Sequence, residues 1–377
     1  MTKFPRRALP GLALGAAVSI ARAELALEPE GSATERAAMA SAADGFMLRY
    51  AVPGLSVAIA RSGRLVYAEA FGLADRVNGE TLTPGHRFRI ASVSKPVTSV
   101  TIFTLIENRR LRLGDVVFGP GGVLGLDYGA PPYGPYVDRI TIEHLLTHTC
   151  GGWRNDNRDP MFRNPRMNHA ELIAWTLRTL PLEAVPGTAF AYSNFGYCVL
   201  GRVIEKVTGQ RYDAFVRDTI LRRCGIDDMR VGGDTIAERL PGEVRYHGQN
   251  DEDPYAMNVR RMDSHGGWVG SPTDLVRFAT HFDGFRTTPN LLSAETLQTM
   301  ITPSAANARY AKGWAVNSYG NWWHTGSLPG TATILVRTHG DFCWAAFANT
   351  RRPRSAMDGD LDRLIWTMVR EVRDWSA

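Results

Sequence analysis

Segments that read as β-strands fall at the two ends of this 377-residue chain, and helical segments fill the middle. Near the start, residues 54–61 and 64–71 are β-rich runs separated by Ser62-Gly63, the pattern of a hairpin. Near the end, residues 314–316, 321–327, 331–338 and 342–349 read as strands, with turns at Leu328-Pro329-Gly330 and His339-Gly340-Asp341. Terminal strands of this kind pair into one antiparallel sheet. A first helix over 32–50, opened by a Ser32/Glu35 capping box, and a last amphipathic helix over 358–374 would cover that sheet. The expected fold is therefore mixed α/β (α+β): an antiparallel β-sheet flanked by helices plus a mostly helical lobe. The expected division is a sheet lobe of about 24–90 and 300–377 and a helical lobe of about 91–299, in one domain spanning 24–377.

Within the central region, 114–135 is rich in glycine and proline and reads as a long loop. Helices are expected over 141–148, 170–180, 195–207 and 212–224, the third ending at Gly209. Residues 161–165 read as irregular. The first 23 residues read as a secretory signal: Lys3, Arg6 and Arg7, then 13 apolar or small residues over 8–20, then the small-x-small site Ala21-Arg22-Ala23. The apolar run falls short of the ~20 residues a spanning helix needs. The Arg6-Arg7 pair leaves the twin-arginine route open. Removing Lys3, Arg6, Arg7 and Arg22 takes the formal charge from +5 to +1, so the basic balance belongs to the targeting segment and gives no support for nucleic-acid binding. The expected location is periplasmic or secreted, with no stable membrane insertion after cleavage. Cys150, Cys198, Cys224 and Cys343 are far apart without a C-x-x-C pair, which argues against a zinc site and leaves any disulfide pairing open. Cys198, in an apolar helical stretch, reads as a small buried hydrophobe.

The chemistry concentrates in three short motifs. Ser92 and Lys95 stand one helical turn apart, and Pro96 is tolerated only near a helix start. Ser92 therefore sits at or just before the first turn, where the dipole and the free N–H groups favour developing negative charge. Lys95 can take its proton if burial or a neighbour lowers the lysine pKa. Tyr192-Ser193-Asn194 lies just before a helix, with Ser193 or Asn194 able to cap it. Tyr192 can serve as a general base if a cation depresses its pKa, and Lys95 is the candidate cation. His324-Thr325-Gly326-Ser327 reads as a strand, where Gly326 admits a close neighbour and an edge supplies N–H groups for an oxyanion hole.

In this order and at these separations, Ser92-Val93-Ser94-Lys95, Tyr192-Ser193-Asn194 and His324-Thr325-Gly326 resemble the three motifs of the class C β-lactamase and penicillin-binding-protein superfamily. That group includes D-Ala-D-Ala carboxypeptidases, D-aminopeptidases and related esterases. The resemblance runs from about Ala33 to Trp375 and takes in residues 88–96, 144–152 and 266–275. It implies a β-lactamase/transpeptidase-like fold and a serine acyl hydrolase without cofactor or metal. Ser92 would be acylated, Lys95 and Tyr192 would move its proton, and Asn194 would bind substrate or Lys95. The N–H groups of Ser92 and Ser327 would form the oxyanion hole, and His324, Thr325 and Gly326 would complete the substrate-binding set. The implied partners are small ester, amide or peptide substrates; the oligomeric state is left open. The chain departs from the pattern at His324, where most class C β-lactamases carry lysine. An imidazole is charged only part of the time near neutral pH, which shifts the expectation from β-lactamase toward a carboxylesterase or D-amino-acid peptidase. Cys150, where relatives often have serine, reads as structural.

Three other readings are weaker. His144 and His148 share a helix face at metal-ligand spacing but lack the glutamate of the zinc-protease motif. No serine is flanked by the two glycines of a Gly-x-Ser-x-Gly elbow, which argues against an α/β-hydrolase. A non-catalytic β-lactam-binding or scaffolding protein would not need Ser92, Lys95, Tyr192 and Asn194 together.

Overall fold

A computed structural model describes residues 31–375; the signal segment expected at 1–23 lies outside them. Among the described residues the strands are β1 (Gly54–Arg61), β2 (Arg64–Asp75), β3 (Glu80–Thr81), β4 (Phe88–Arg89), β5 (Arg230–Val231), β6 (Trp268–Gly270), β7 (Ala315–Val316), β8 (Trp322–Leu328), β9 (Thr331–Arg337) and β10 (Phe342–Ala348). Seven of them form one sheet in the order β3-β2-β1-β10-β9-β8-β7. Its named pairings are antiparallel, and β1 pairs with β10 from Leu55↔Ala348 to Arg61↔Phe342. The two ends of the chain thus meet at the centre of the sheet, as the sequence pattern requires.

Both faces of that centre are covered, which explains why β1 and β10 are buried almost throughout and mostly apolar rather than alternating. Leu55, Val57 and Ile59 of β1 pack in one core with Met39, Phe46, Leu361, Ile365 and Met368 of the first and last helices. Ala58 and Ala60, on the other face, join the core shared with the helical region. The first helix, Ala33–Tyr50, carries the Ser32/Glu35 capping box read from sequence, and the last spans Met357–Glu371.

The middle of the chain is helical: Ser94–Glu107, Ile142–Leu146, His169–Thr179 and Asn194–Thr208, the last stopped by Gly209 at φ +73°. Three details differ from expectation. Residues 161–165 are not wholly irregular: Asp159 caps a single turn, Pro160–Arg163, with Pro160 at a position where a helix needs no N–H. The 212–224 segment is helical in three pieces, widening over Arg217–Leu221 and tightening over Arg222–Cys224. A second, three-stranded sheet, β4-β6-β5, was not legible because each strand is only two or three residues long. The helix Pro272–Thr280, from the region read as the helical lobe, packs on β1, β2, β9 and β10. The four cysteines are buried and unpaired.

Candidate active site

The turn that carries Ser92 is held from three sides. Arg89, one residue into the approach, is buried between the rings of Tyr246 and Tyr255 and donates to the carbonyls of Pro254 and Gly233 at 2.5 and 3.1 Å. Thr331 and Thr333, alternate residues on one face of β9, donate to the carbonyls of Arg89 and Ile90 at 3.0 and 2.8 Å. Ala91 then adopts φ +49°, a left-handed conformation that costs a non-glycine residue energy and persists because its surroundings fix it. The chain turns there into a short 3-10 segment, Ala91–Val93, that runs straight into the helix Ser94–Glu107. Ser92 lies at this junction, partly exposed, as Pro96 dictates.

Strand β8 runs beside this turn. β7 pairs only with Trp322 and Trp323, so the rest of that edge is free to face residues 90–92. The approach is close enough to require glycine: a Cβ on Gly326 would lie 2.3 Å from both the Ile90 carbonyl oxygen and Thr333 Oγ1. The β8–β9 hairpin closes on the two-residue turn Pro329-Gly330, with Leu328 opposite Thr331. With Leu328 bonded to β9, alternation turns the Ser327 N–H toward the free edge. The Ser92 N–H, which precedes the helical ladder, is the other donor named in the oxyanion expectation. Gly326→Ala is therefore expected to push β8 off the nucleophile turn. It should cost about 1–3 kcal/mol of stability, the usual range for overpacking. A denaturation midpoint unchanged from the native protein would contradict the close approach.

Lys95 is fully buried, and burial brings its ammonium down to about 7 against an opposing pull from Asp159. Its Nζ lies 2.8 Å from Asn194 Oδ1, 2.9 Å from the His265 carbonyl oxygen and 3.1 Å from Ser92 Oγ. The first two partners only accept. As an ammonium it donates to all three; in the neutral form its two hydrogens go to Asn194 and His265 and its lone pair faces the Ser92 hydroxyl. The Asn194 amide is held in the required orientation because its Nδ2 donates to Asp159 Oδ2 at 2.9 Å. Burial pushes the Asp159 carboxyl up to about 6.

The expectation that Lys95 would depress the Tyr192 pKa is not met. The Lys95 nitrogen lies over the Tyr192 ring, 4.8 Å from its centroid, so it does not act mainly on the hydroxyl. Desolvation raises the Tyr192 pKa well above its usual value, and a hydrogen bond with Ser92 offsets this only partly. Tyr192 therefore stays a neutral phenol. His324 departs from expectation as well. It is buried, and desolvation and the Lys95 charge push its pKa down to about 3. It does not line the cleft at Ser92, which measures about 350 Å³ and is walled by Asn155, Asn194, Met262, Ser327, Leu328 and Arg351 among others. A larger hollow of about 590 Å³ around His169, Glu205 and Arg260 holds none of the motif residues; the chemistry, not the size, marks the cleft at Ser92.

What His324 does instead follows from its partners. Its Nδ1 lies 2.6 Å from the Thr325 carbonyl oxygen, which only accepts, so Nδ1 carries the hydrogen. Nε2 is then an acceptor and takes the Tyr310 hydroxyl hydrogen at 3.1 Å. The Tyr310 oxygen in turn accepts from His148 Nε2 at 3.1 Å, and His148 Nδ1 accepts from the Ser193 N–H at 3.1 Å. This buried chain joins the Tyr192-Ser193-Asn194 loop to the β8 strand through neutral imidazoles. It also separates His148 from His144, whose Nδ1 accepts from Thr141. Tyr310→Phe leaves two ring nitrogens without partners, so it should destabilise by about 1–3 kcal/mol for each buried group. Urea unfolding measures it; no loss would mean that the chain contributes nothing to holding β8.

The structure thus brings Ser92, Lys95, Tyr192, Asn194 and Ser327 together and puts Thr325 and Gly326 on the adjoining strand. Sequence reading missed Asp159, Tyr310, His148 in its actual role, and Arg351. Only Asp159 left a trace, the Asp-Pro signature of a helix start.

The chain is similar to several known proteins. The chain is 26% identical over 310 residues to penicillin-binding protein 4* of Bacillus subtilis, covering 75% of this chain and 64% of that protein. It is 31% identical over 221 residues to esterase EstB of Burkholderia gladioli, covering 55% and 53%. It therefore spans less than two thirds of the length of either relative. The crystal structure of D-amino acid amidase from Ochrobactrum anthropi SV3, complexed with L-phenylalanine amide, superposes with a TM-score of 0.73 at 22% identity, covering 90% of this chain and 98% of that one. The Beta-lactamase family profile matches residues 32–365, so the fold, the three motifs and the match along the chain agree: this protein belongs to the Beta-lactamase family.

Proposed function

We propose that this chain is a serine acyl hydrolase that works through a covalent acyl-enzyme on Ser92. The observation that carries the reading is the Lys95 amine, brought to about 7 by burial and set 3.1 Å from Ser92 Oγ, with Asn194 and His265 taking its other hydrogens so that the neutral form has its lone pair free for the Ser92 proton. Lys95 takes the Ser92 proton as Oγ bonds to the substrate carbonyl carbon. The carbonyl electron pair moves to oxygen, where the N–H groups of Ser92 and Ser327 hold it. When the tetrahedral adduct collapses, the bond to the leaving group breaks and that group departs with the proton Lys95 had taken. Water then attacks the ester by the same route and frees Ser92.

Substrate choice within this class turns on charge. A neutral His324, engaged on both nitrogens, offers no permanent cation at the third motif. This favours a carboxylesterase or D-amino-acid peptidase over a dedicated β-lactamase. An esterase, a putative D-alanyl-D-alanine carboxypeptidase of Escherichia coli O157:H7 and a D-amino acid amidase among the relatives support it. We place the enzyme in the periplasm or outside the cell, on the strength of the signal-like first 23 residues. Among the described residues no helix is long and apolar enough to cross a membrane.

Intact-protein mass after exposure to a penicillin, or to an activated ester under acyl-trapping conditions, tests the mechanism. An adduct on the native protein that is absent from Ser92→Ala is the expected result; hydrolysis that survives in Ser92→Ala sinks it.

A further inference from the structure

Lys95 has two acceptors besides Ser92, and they are held by different means. Asn194 is a side chain in the first turn of a helix. The His265 carbonyl belongs to an irregular turn that no helix or strand ladder fixes. That turn is wound around one point: the N–H groups of His265, Gly266 and Gly267 all donate to the Met262 carbonyl oxygen, at 2.9, 2.8 and 3.0 Å. Two consecutive carbonyls of the turn then meet one face of the helix Ser94–Glu107. The Ser264 oxygen accepts from Thr98 Oγ1 at 2.6 Å, and the His265 oxygen accepts from Lys95 Nζ at 2.9 Å.

The turn is anchored from behind by Arg202. Asp263 Oδ1 accepts from the Ser264 N–H at 2.6 Å, and Oδ2 accepts from Arg202 Nη2 at 2.6 Å. Arg202 is buried, with Nε 2.8 Å from Glu205 Oε2. Glu205 Oε1 accepts the Tyr212 N–H at 2.9 Å, and the Tyr212 hydroxyl bonds Thr98 Oγ1 at 2.6 Å, which closes a ring back to the turn. The fit beside Arg202 is tight: a Cβ on Gly201 would lie 2.5 Å from Ser264 Oγ. His169 Nε2 donates to the Arg261 carbonyl at 2.9 Å and stands 3.6 Å from Asp263 Oδ1. Burial lowers the His169 pKa, so the imidazole leaves the charge of Asp263 to Arg202.

We propose that Arg202 is a positioning residue for the general base, holding the His265 carbonyl against Lys95 through Asp263. This rests on the hydrolase reading above and adds to it a residue that does not line the cleft at Ser92. The helix Asn194–Thr208 then sets both acceptors: Asn194 directly in its first turn, and the His265 carbonyl from Arg202, two turns further on. The consequence for Lys95 has a definite sign. A carbonyl that accepts from the amine favours the ammonium and, in the neutral form, fixes a hydrogen so that the lone pair stays on Ser92. Losing that carbonyl lowers the Lys95 pKa and frees the amine to rotate. Asp159 is the carboxyl that acts on Lys95, and burial keeps His148, His265 and His324 neutral, so the acid limb of the rate reports the lysine.

The test is the pH profile of kcat/KM toward an activated ester for Arg202→Met made together with Asp263→Asn. The pair of changes leaves no buried charge unpaired, and the asparagine still accepts from the Ser264 N–H. The plateau should fall roughly ten- to a hundredfold, the scale of a misplaced catalytic group. The acid limb should move to lower pH by about one unit, the size of a hydrogen bond to a charged group. Arg202→Lys, which keeps a cation within reach of Asp263, should restore the native limb and most of the rate. Should the double variant fail to fold, Asp263→Asn alone is read by the same rule, with a smaller shift in the same direction. A limb that stays in place or moves to higher pH overturns the proposal, even when the rate falls, because it makes Arg202 structural only. Intact-protein mass with the same ester checks the native enzyme separately: if Ser92 does not acylate, the hydrolase reading has failed and takes this one with it.

Discussion

Ser92→Ala should lower kcat/KM toward an activated ester by roughly four to six orders of magnitude, the scale seen when a serine nucleophile is removed from a preorganised site. The fold should be unaffected. Ser92 is partly exposed and sits in a turn fixed by Arg89, Thr331 and Thr333, none of which depends on its hydroxyl. Alanine also suits the 3-10 segment and the helix start. Turnover by the native and variant proteins, with melting temperatures measured alongside, separates loss of chemistry from loss of structure. A variant that keeps more than about a hundredth of native activity at the same melting temperature would place the nucleophile elsewhere.

Lys95→Met should cost roughly two to four orders of magnitude, the usual contribution of a positioned general base. It should also change the pH profile. In the native protein the amine accepts the Ser92 proton only when neutral. With a value near 7, kcat/KM should fall on the acid side of about pH 7, approaching tenfold per unit, and flatten above it. The direction follows from burial, which disfavours the ammonium, and is opposed by the nearby Asp159 carboxylate. Loss of Asp159 should therefore move the limb to lower pH. Methionine cannot titrate, so the limb should vanish in Lys95→Met. A proton taken by Tyr192 instead would put the rise far to the alkaline side, because burial raises that phenol. A native profile that climbs only above pH 9 would exchange the roles of the two residues.

Ser92, Lys95 and Pro96 constrain one another within five residues, so local helix geometry alone places the nucleophile and its base on one turn. Gly326 announced a close neighbour but not which one; that the neighbour is the Ile90 carbonyl depends on how β8 docks. From sequence alone, His324 reads as a part-time cation at the substrate. Its neutrality comes from burial, from the Lys95 charge and from Tyr310, 14 residues away in the chain. From spacing alone, Tyr192 reads as a phenol that Lys95 acidifies. The ammonium sits over the ring rather than at the hydroxyl, a difference of orientation that spacing cannot express.

The amino-acid order carried most strand and helix periods, the Ser32 cap, the Gly209 stop, the hairpin turn and the Ser92–Lys95 turn. Those features depend on backbone geometry and neighbours a few residues apart. Tertiary structure alone decided which groups are charged and which way each donor points. Lys95 is near 7 because strands and helices from distant parts of the chain exclude water from it. Asn194 faces it correctly because Asp159 holds the amide. Arg351 turns one edge of its fork to the cleft because Glu252, 99 residues earlier, occupies the other. Desolvation and hydrogen-bond direction are properties of an enclosed volume, and no local stretch of sequence contains that volume.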